Sequence, residues 1–130
     1  MGERGITRLE EFEKALKQLK EAGNLTTLNE LEKDGLLQRY EFTLELAWKC
    51  IKDFAEAQGF QDVISPKSAF QKAYELELIS NKEDWLTMLE HRNMLSHMYD
   101  QLLSEAALKE IRSKYINELE ILLSNLKKSL

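Results

Sequence analysis

Leu9, Phe12, Leu16 and Leu19 recur at intervals of three and four residues, with charged residues between them. That spacing puts them on one face of an α-helix and predicts a helix from about Thr7 to Ala22, closed by Gly23 and Asn24. A longer pattern follows. Leu37, Tyr40, Leu44, Ala47, Trp48, Ile51, Phe54 and Ala55 share one face, while Glu41, Glu45 and Lys49 stand four apart on another. The charged set reads as a solvated stripe with an ordinary i,i+4 pair between Glu45 and Lys49. Thr26 or Thr27 is the expected cap of this helix, with Glu30 three residues after Thr27. Gly35 is a candidate interruption and Gly59 the expected end. Ser65 and Pro66 fit the N-cap and first position of a short third helix, which runs through Phe70, Ala73 and Tyr74 toward Leu78. Asn81 is the next expected N-cap, with Asp84 at its third position and Trp85, Met88, Leu89 and Arg92 behind. A last long helix is expected from about Ser104 to Leu126, carrying Ala107, Leu108, Ile111, Tyr115, Leu119, Leu122 and Leu123.

Five helical segments with short connections, no alternating strand pattern and no repeat predict an all-α fold. The expected architecture is an antiparallel up-and-down helical bundle of four main helices, with the short third one packed across an end. At 130 residues, residues 1–130 are expected to form one domain. One proline and five glycines in the whole chain leave few breaks in such helices. The single cysteine, Cys50, excludes an intrachain disulfide and a cysteine-based metal site, and its apolar surroundings read as those of a small buried hydrophobe. No apolar run is long enough to span a membrane and the start shows no secretory pattern, so the cytoplasm is the expected location. The formal net charge of −5 argues against broad, nonspecific nucleic-acid binding, which needs a basic surface. Activity on a nucleic acid would require a local positive site, doubled by dimerisation.

Candidate chemistry is confined to one stretch. His91 and His97 are six apart and do not share a helix face, and no HExxH or ExxH arrangement accompanies them, so no metal and no cofactor are expected. Glycine-rich phosphate loops and a DxD acid pair are absent, so the chain is not expected to transfer nucleotides by itself. The stretch RNMLSHMYD, from Arg92 to Asp100, instead gathers Arg92, Asn93, Ser96, His97 and Tyr99 within nine residues. On a helix Arg92, Ser96 and Tyr99 project from one side, Asn93 and His97 share another stripe, and Arg92 and His97 stand about 140° apart. Met94, Leu95 and Met98 are expected to hold the segment against the core. Asp100 and Gln101 suggest that the helix loosens near Tyr99, which would let His97 and Tyr99 converge.

Metal-free RNA cleavage needs a base for the 2′-hydroxyl proton, a cation for the charge building on phosphorus, and a donor for the leaving oxygen. A histidine suits proton transfer near neutral pH, and an arginine binds nonbridging phosphate oxygens. Asn93 can orient His97 or hold a phosphate. One His and one Arg are sparse for this task, and a symmetric dimer meeting at the motif would supply two of each. The bland alternative is that basic residues near a helix C-terminus merely complement its dipole.

RNMLSHMY also has the form Arg-x4-His-x-Tyr and resembles the motif of HepT proteins in the HEPN superfamily. LLQRYEFTLELAWK (36–49), SPKSAFQKAYELELI (65–79) and the W–ML–RN pattern from Trp85 to Asn93 resemble the nucleotidyltransferase substrate-binding family in the same order. The resemblance covers nearly the whole chain. It implies a helical bundle that usually dimerises, and a partner that is a separate small MNT-type nucleotidyltransferase encoded nearby. It further implies a ribonuclease toxin acting on RNA, with Arg92 and His97 as the catalytic pair, and Asn93 and Ser96 as supporting, RNA-binding residues. Tyr99 would be the residue that the partner silences by adenylylation. Older descriptions of such bundles imply the alternative, a noncatalytic substrate-binding subunit of a two-component nucleotidyltransferase.

Overall fold

The computed structural model describes residues 1–97 and 101–130, without the side chains of Ser96, His97 and residues 101–103. Helices α1 (Glu3–Gly23), α2 (Glu30–Ala57), α3 (Pro66–Glu75) and α4 (Lys82–His97) are followed by a long rod. The rod consists of α5 (Gln101–Glu110), a π-helical turn (Ile111–Tyr115) and α6 (Ile116–Lys128). No strand occurs among the described residues. The fold is an all-α helical bundle, as the apolar spacing predicts.

Pairings along the helices give their directions. Arg8 bonds Asp53 at 2.9 Å and Arg39 bonds the Gln18 carbonyl at 2.8 Å, so α1 and α2 run antiparallel. Lys20 pairs with Glu120 at 3.1 Å, and Lys127 with Glu13, so α1 and α6 do too. The short α3 packs against α2 and α4. Phe12, Leu19, Leu36, Tyr40, Leu44, Ile51, Phe70, Trp85, Met88, Ile111, Tyr115 and Leu119 are wholly enclosed, and the aliphatic and aromatic area they remove from water is the main stabilising term. Cys50 lies among them, its thiol pushed up to about 12 by burial, so it stays uncharged.

Several boundaries differ from the expected ones for physical reasons. The start of α2 is capped by Asn29, not by Thr26 or Thr27. Its side chain accepts from the Glu32 N–H at 2.8 Å, and the Glu32 carboxylate accepts from the Asn29 N–H at 2.9 Å. This reciprocal box satisfies two orphan donors at once. Gly35 does not interrupt the helix. After Ala57 the chain turns through Gly59, at φ +94, a conformation suited to glycine. Gly23 is the last residue of α1, and a Cβ there would meet the tip of the Ile116 side chain at 2.7 Å. Arg112 completes that junction, donating to the Gly23 and Leu25 carbonyls at 3.1 and 2.6 Å. In α3 the helix ends at Glu75, and Tyr74 is largely exposed with Lys82 above its ring.

The cap assignment is directly testable. Replacing Asn29 by Ala should lower stability by about 1 kcal/mol in denaturant unfolding, whereas Thr27→Ala should leave it within about 0.5 kcal/mol of the parent. Equal effects would contradict it.

Candidate functional site

Helix α4 carries the described part of the candidate motif. It begins at the expected place, where the Asn81 side chain accepts the Asp84 N–H at 3.2 Å, and Glu83 and Asp84 in its first turn complement the helix dipole. Trp85 packs on Phe70, ring centroids 5.1 Å apart, and with Met88 anchors the helix to the core.

Arg92 leaves α4 toward α2. Its Nη2 lies 3.3 Å from Glu45 Oε2, and its Nη1 donates to Asn93 Oδ1 at 3.2 Å. Glu45 also faces Lys49 at 3.4 Å. The expected i,i+4 pair therefore exists, but its carboxylate is shared with the motif arginine. Both members of the Arg92–Glu45 pair keep about a third of their side-chain surface exposed, so it adds at most about 1 kcal/mol. It fixes the direction of the guanidinium more than it stabilises the fold. One turn earlier, burial pushes the Glu41 carboxyl above its ordinary range, with Arg92 pulling it back. A phosphate bound by Arg92 would have to share that cation with two carboxylates.

The remaining candidates are only partly visible. The backbone is helical through His97, while the side chains of Ser96 and His97 lie outside the described residues. So do Met98, Tyr99 and Asp100, and with them the expected loosening near Tyr99. Leu95 packs against the core as expected, but Met94 is 48% exposed. It stands six residues from the enclosed Met88, and so points well away from the core side.

A second feature was absent from the sequence reading. His91 Nδ1 lies 2.9 Å from the Tyr115 hydroxyl, and Tyr115 stacks on Tyr40 with ring centroids 5.7 Å apart and an interplanar angle of 20°. Tyr40 in turn donates to the Met88 carbonyl at 2.7 Å. Burial, reinforced by the charges of Glu110, Asp84 and Glu90, pushes the Tyr115 phenol up to about 12, so it keeps its proton. Beside the pair lies a cavity of about 450 Å³, bordered by Thr87, Lys109, Glu110, Lys114 and Asp84. Lys114 bridges to Asp84 at 2.8 Å. The only sequence signal was the spacing Ile111, Tyr115, Leu119, two steps of four, which a wider π turn absorbs.

Comparison with known proteins places the chain. A family described as nucleotidyltransferase substrate binding protein like matches residues 7–128. The chain belongs to that family. It is 29% identical over 103 residues to a Haemophilus influenzae protein named probable ribonuclease HepT. That match takes in 72% of this chain and 66%, just under two thirds, of the relative's length. A crystal structure from Thermus thermophilus superimposes with a TM-score of 0.82 at 30% identity, covering 89% of this chain and 98% of that one. A second structure, from Haemophilus influenzae, is described as the fold of a substrate binding domain of a nucleotidyltransferase. It matches with a TM-score of 0.78 at 23% identity, over 92% of this chain and 98% of that one. The HepT-like resemblance read from the motifs and the helical fold are thus both shown. Among the described residues no helix is long and apolar enough to cross a membrane.

The Glu41 environment yields a prediction. A raised folded-state value means that the native state takes up its proton more readily than the unfolded chain, so this carboxyl lowers stability as pH rises through the carboxylate range. Glu41→Gln should match the parent in melts at pH 3 and exceed it at pH 7 by about 0.5 kcal/mol or less, since the group is partly solvated. A loss of stability at pH 7 would contradict this.

Proposed function

We propose that the chain is the HepT-like component of a two-gene nucleotidyltransferase system and acts as a metal-independent endoribonuclease toxin. The observation that carries this is the sequence motif Arg92-x4-His97-x-Tyr99, in a chain similar to a protein named probable ribonuclease HepT. In this reading His97 takes the proton from a 2′-hydroxyl, the 2′-oxygen attacks phosphorus, and the P–O5′ bond breaks. A 2′,3′-cyclic phosphate forms and the departing 5′-oxygen receives a proton. Arg92 stabilises the charge on the nonbridging oxygens, Asn93 steadies Arg92 through their hydrogen bond, and Ser96 contributes a hydroxyl to the RNA.

A homodimer supplies the second His and Arg that one chain lacks. Its support is the exposed apolar surface of Phe42 and Met94, 57% and 48% exposed, on the two helices that carry Glu45 and Arg92. The proposed off-switch is adenylylation of Tyr99 by a partner MNT-type nucleotidyltransferase. The added phosphodiester charge two residues from His97 would compete for Arg92 and its bulk would fill the cleft. A specific observation favours a second reading, that of a noncatalytic substrate-binding subunit. The net charge is −5, and Glu45 and Glu41 flank the one motif cation.

Purified protein incubated with RNA in EDTA should cleave it, and His97→Ala or Arg92→Ala should reduce the rate at least about 100-fold. Cleavage by none, or equal cleavage by all, removes the ribonuclease reading. Incubation with the partner and ATP should add adenylate to Tyr99, read by intact mass and abolished in Tyr99→Phe. An unmodified chain that binds the partner and a small acceptor supports the subunit reading. Phe42→Glu should shift the sedimenting species from dimer to monomer, and an unchanged species would contradict the proposed interface.

A further inference from the structure

Two phenols reach α4 from the core, one turn apart. Tyr40, on α2, reaches the Met88 carbonyl at 2.7 Å, and Tyr115, at the end of the π turn, reaches His91 Nδ1 at 2.9 Å. Their rings stack, with centroids 5.7 Å apart. Met88 and His91 are three apart and bracket one helical turn. The carbonyl that accepts from Tyr40 is the one that, in the helical ladder, also receives the N–H of Arg92. His91 directly precedes Arg92, so holding its ring against Tyr115 sets the rotation that turns Arg92, about 100° further round, toward α2. There the guanidinium meets Glu45 at 3.3 Å.

We propose that Tyr115 acting through His91, together with Tyr40 acting through the Met88 carbonyl, are positioning residues that hold α4 in the rotation presenting Arg92 to an RNA phosphate. The proposal rests on the ribonuclease reading for its consequence, but its geometry concerns this chain alone. Tyr115 closes the π turn. The wider ring of that turn, closed by the Ile116 N–H on the Ile111 carbonyl, keeps Ile111 and Tyr115 both inside the core while Arg112 points out to cap α1. The phenol and Nδ1 share one hydrogen bond, whose direction follows the tautomer of the imidazole.

The test uses the full chain with Tyr115→Phe, His91→Ala, their double variant, and His91→Asn, whose amide oxygen can still accept from the phenol. Tyr115→Phe and His91→Ala should each lower kcat for RNA about 10-fold, with KM changing less than about 2-fold. The double variant should lose no more than either single one, because the pair acts as a unit. His91→Asn should recover kcat to within about 3-fold of the parent. Singles that match the parent while Arg92→Ala is inactive would overturn the proposal and leave the ribonuclease reading standing. So would losses that multiply in the double variant. A second readout is independent of cleavage: the Nε–H resonance of Arg92, assigned with Arg92→Lys. It should move in the same direction in Tyr115→Phe and His91→Ala, and return in His91→Asn. Should the parent prove unable to cleave RNA, the ribonuclease reading fails and this resonance decides the positioning role, an unmoved peak overturning it. If Tyr115→Phe fails to fold, the two His91 variants, at a half-buried position, carry the same comparison.

Discussion

Tyr40 and Tyr115 stack across the centre of the bundle, and their hydroxyls both end on α4. A stack of this kind adds about 0.5–1.5 kcal/mol beyond its buried area, and each buried hydrogen bond about 1 kcal/mol. Those amounts are ordinary for a core. Their placement is not: they tie α2, the π turn and α4 to one another at the level where Arg92 emerges. The direction in which Arg92 leaves α4 is therefore set by contacts from the core. Burial keeps both phenols protonated, so Tyr40 continues to donate to the Met88 carbonyl across the pH range in which a histidine would work.

The electrostatics of the front face pull in the other direction. Arg92 is held by Glu45, which also serves Lys49, and Glu41 stands nearby with its carboxyl raised by burial. Such a cation is well oriented but partly neutralised, and a phosphate of the proposed substrate would have to compete for it. A second copy of the chain would add a second Arg92 without changing the charge balance of either half. The acidic character of the chain and the proposed RNA chemistry are compatible only if binding is local and short-range, which the Debye screening of exposed charges favours at physiological salt.

The fold was legible because its helices bury one face each, and a three-four spacing of apolar residues records that directly. Leu9, Phe12, Leu16 and Leu19, or Leu44, Ile51 and Ala55, could be placed without any structure. Ser65, Pro66 and Asn81 marked their helix starts because each satisfies a backbone donor or fixes a backbone angle within a few residues. Asn29 was missed because Thr26 and Thr27 offer the same chemistry, and the choice depends on which residue can exchange bonds with Glu32. The motif was legible as residue types. Its setting was not, because Glu45 and Tyr115 reach Arg92 and His91 from 47 and 24 residues away, and no local pattern encodes such pairings. The π turn was hidden for a related reason: one additional residue in a long helix changes the face only downstream, where the apolar spacing still looked helical.

The central chemical claim concerns which bond breaks and how. End-group analysis of RNA fragments formed in EDTA tests it most directly. Attack by the 2′-oxygen predicts 2′,3′-cyclic phosphate and 5′-hydroxyl ends, formed by the parent chain and lost in His97→Ala. Fragments with 5′-phosphate ends, or identical fragments from the His97 variant, would contradict it.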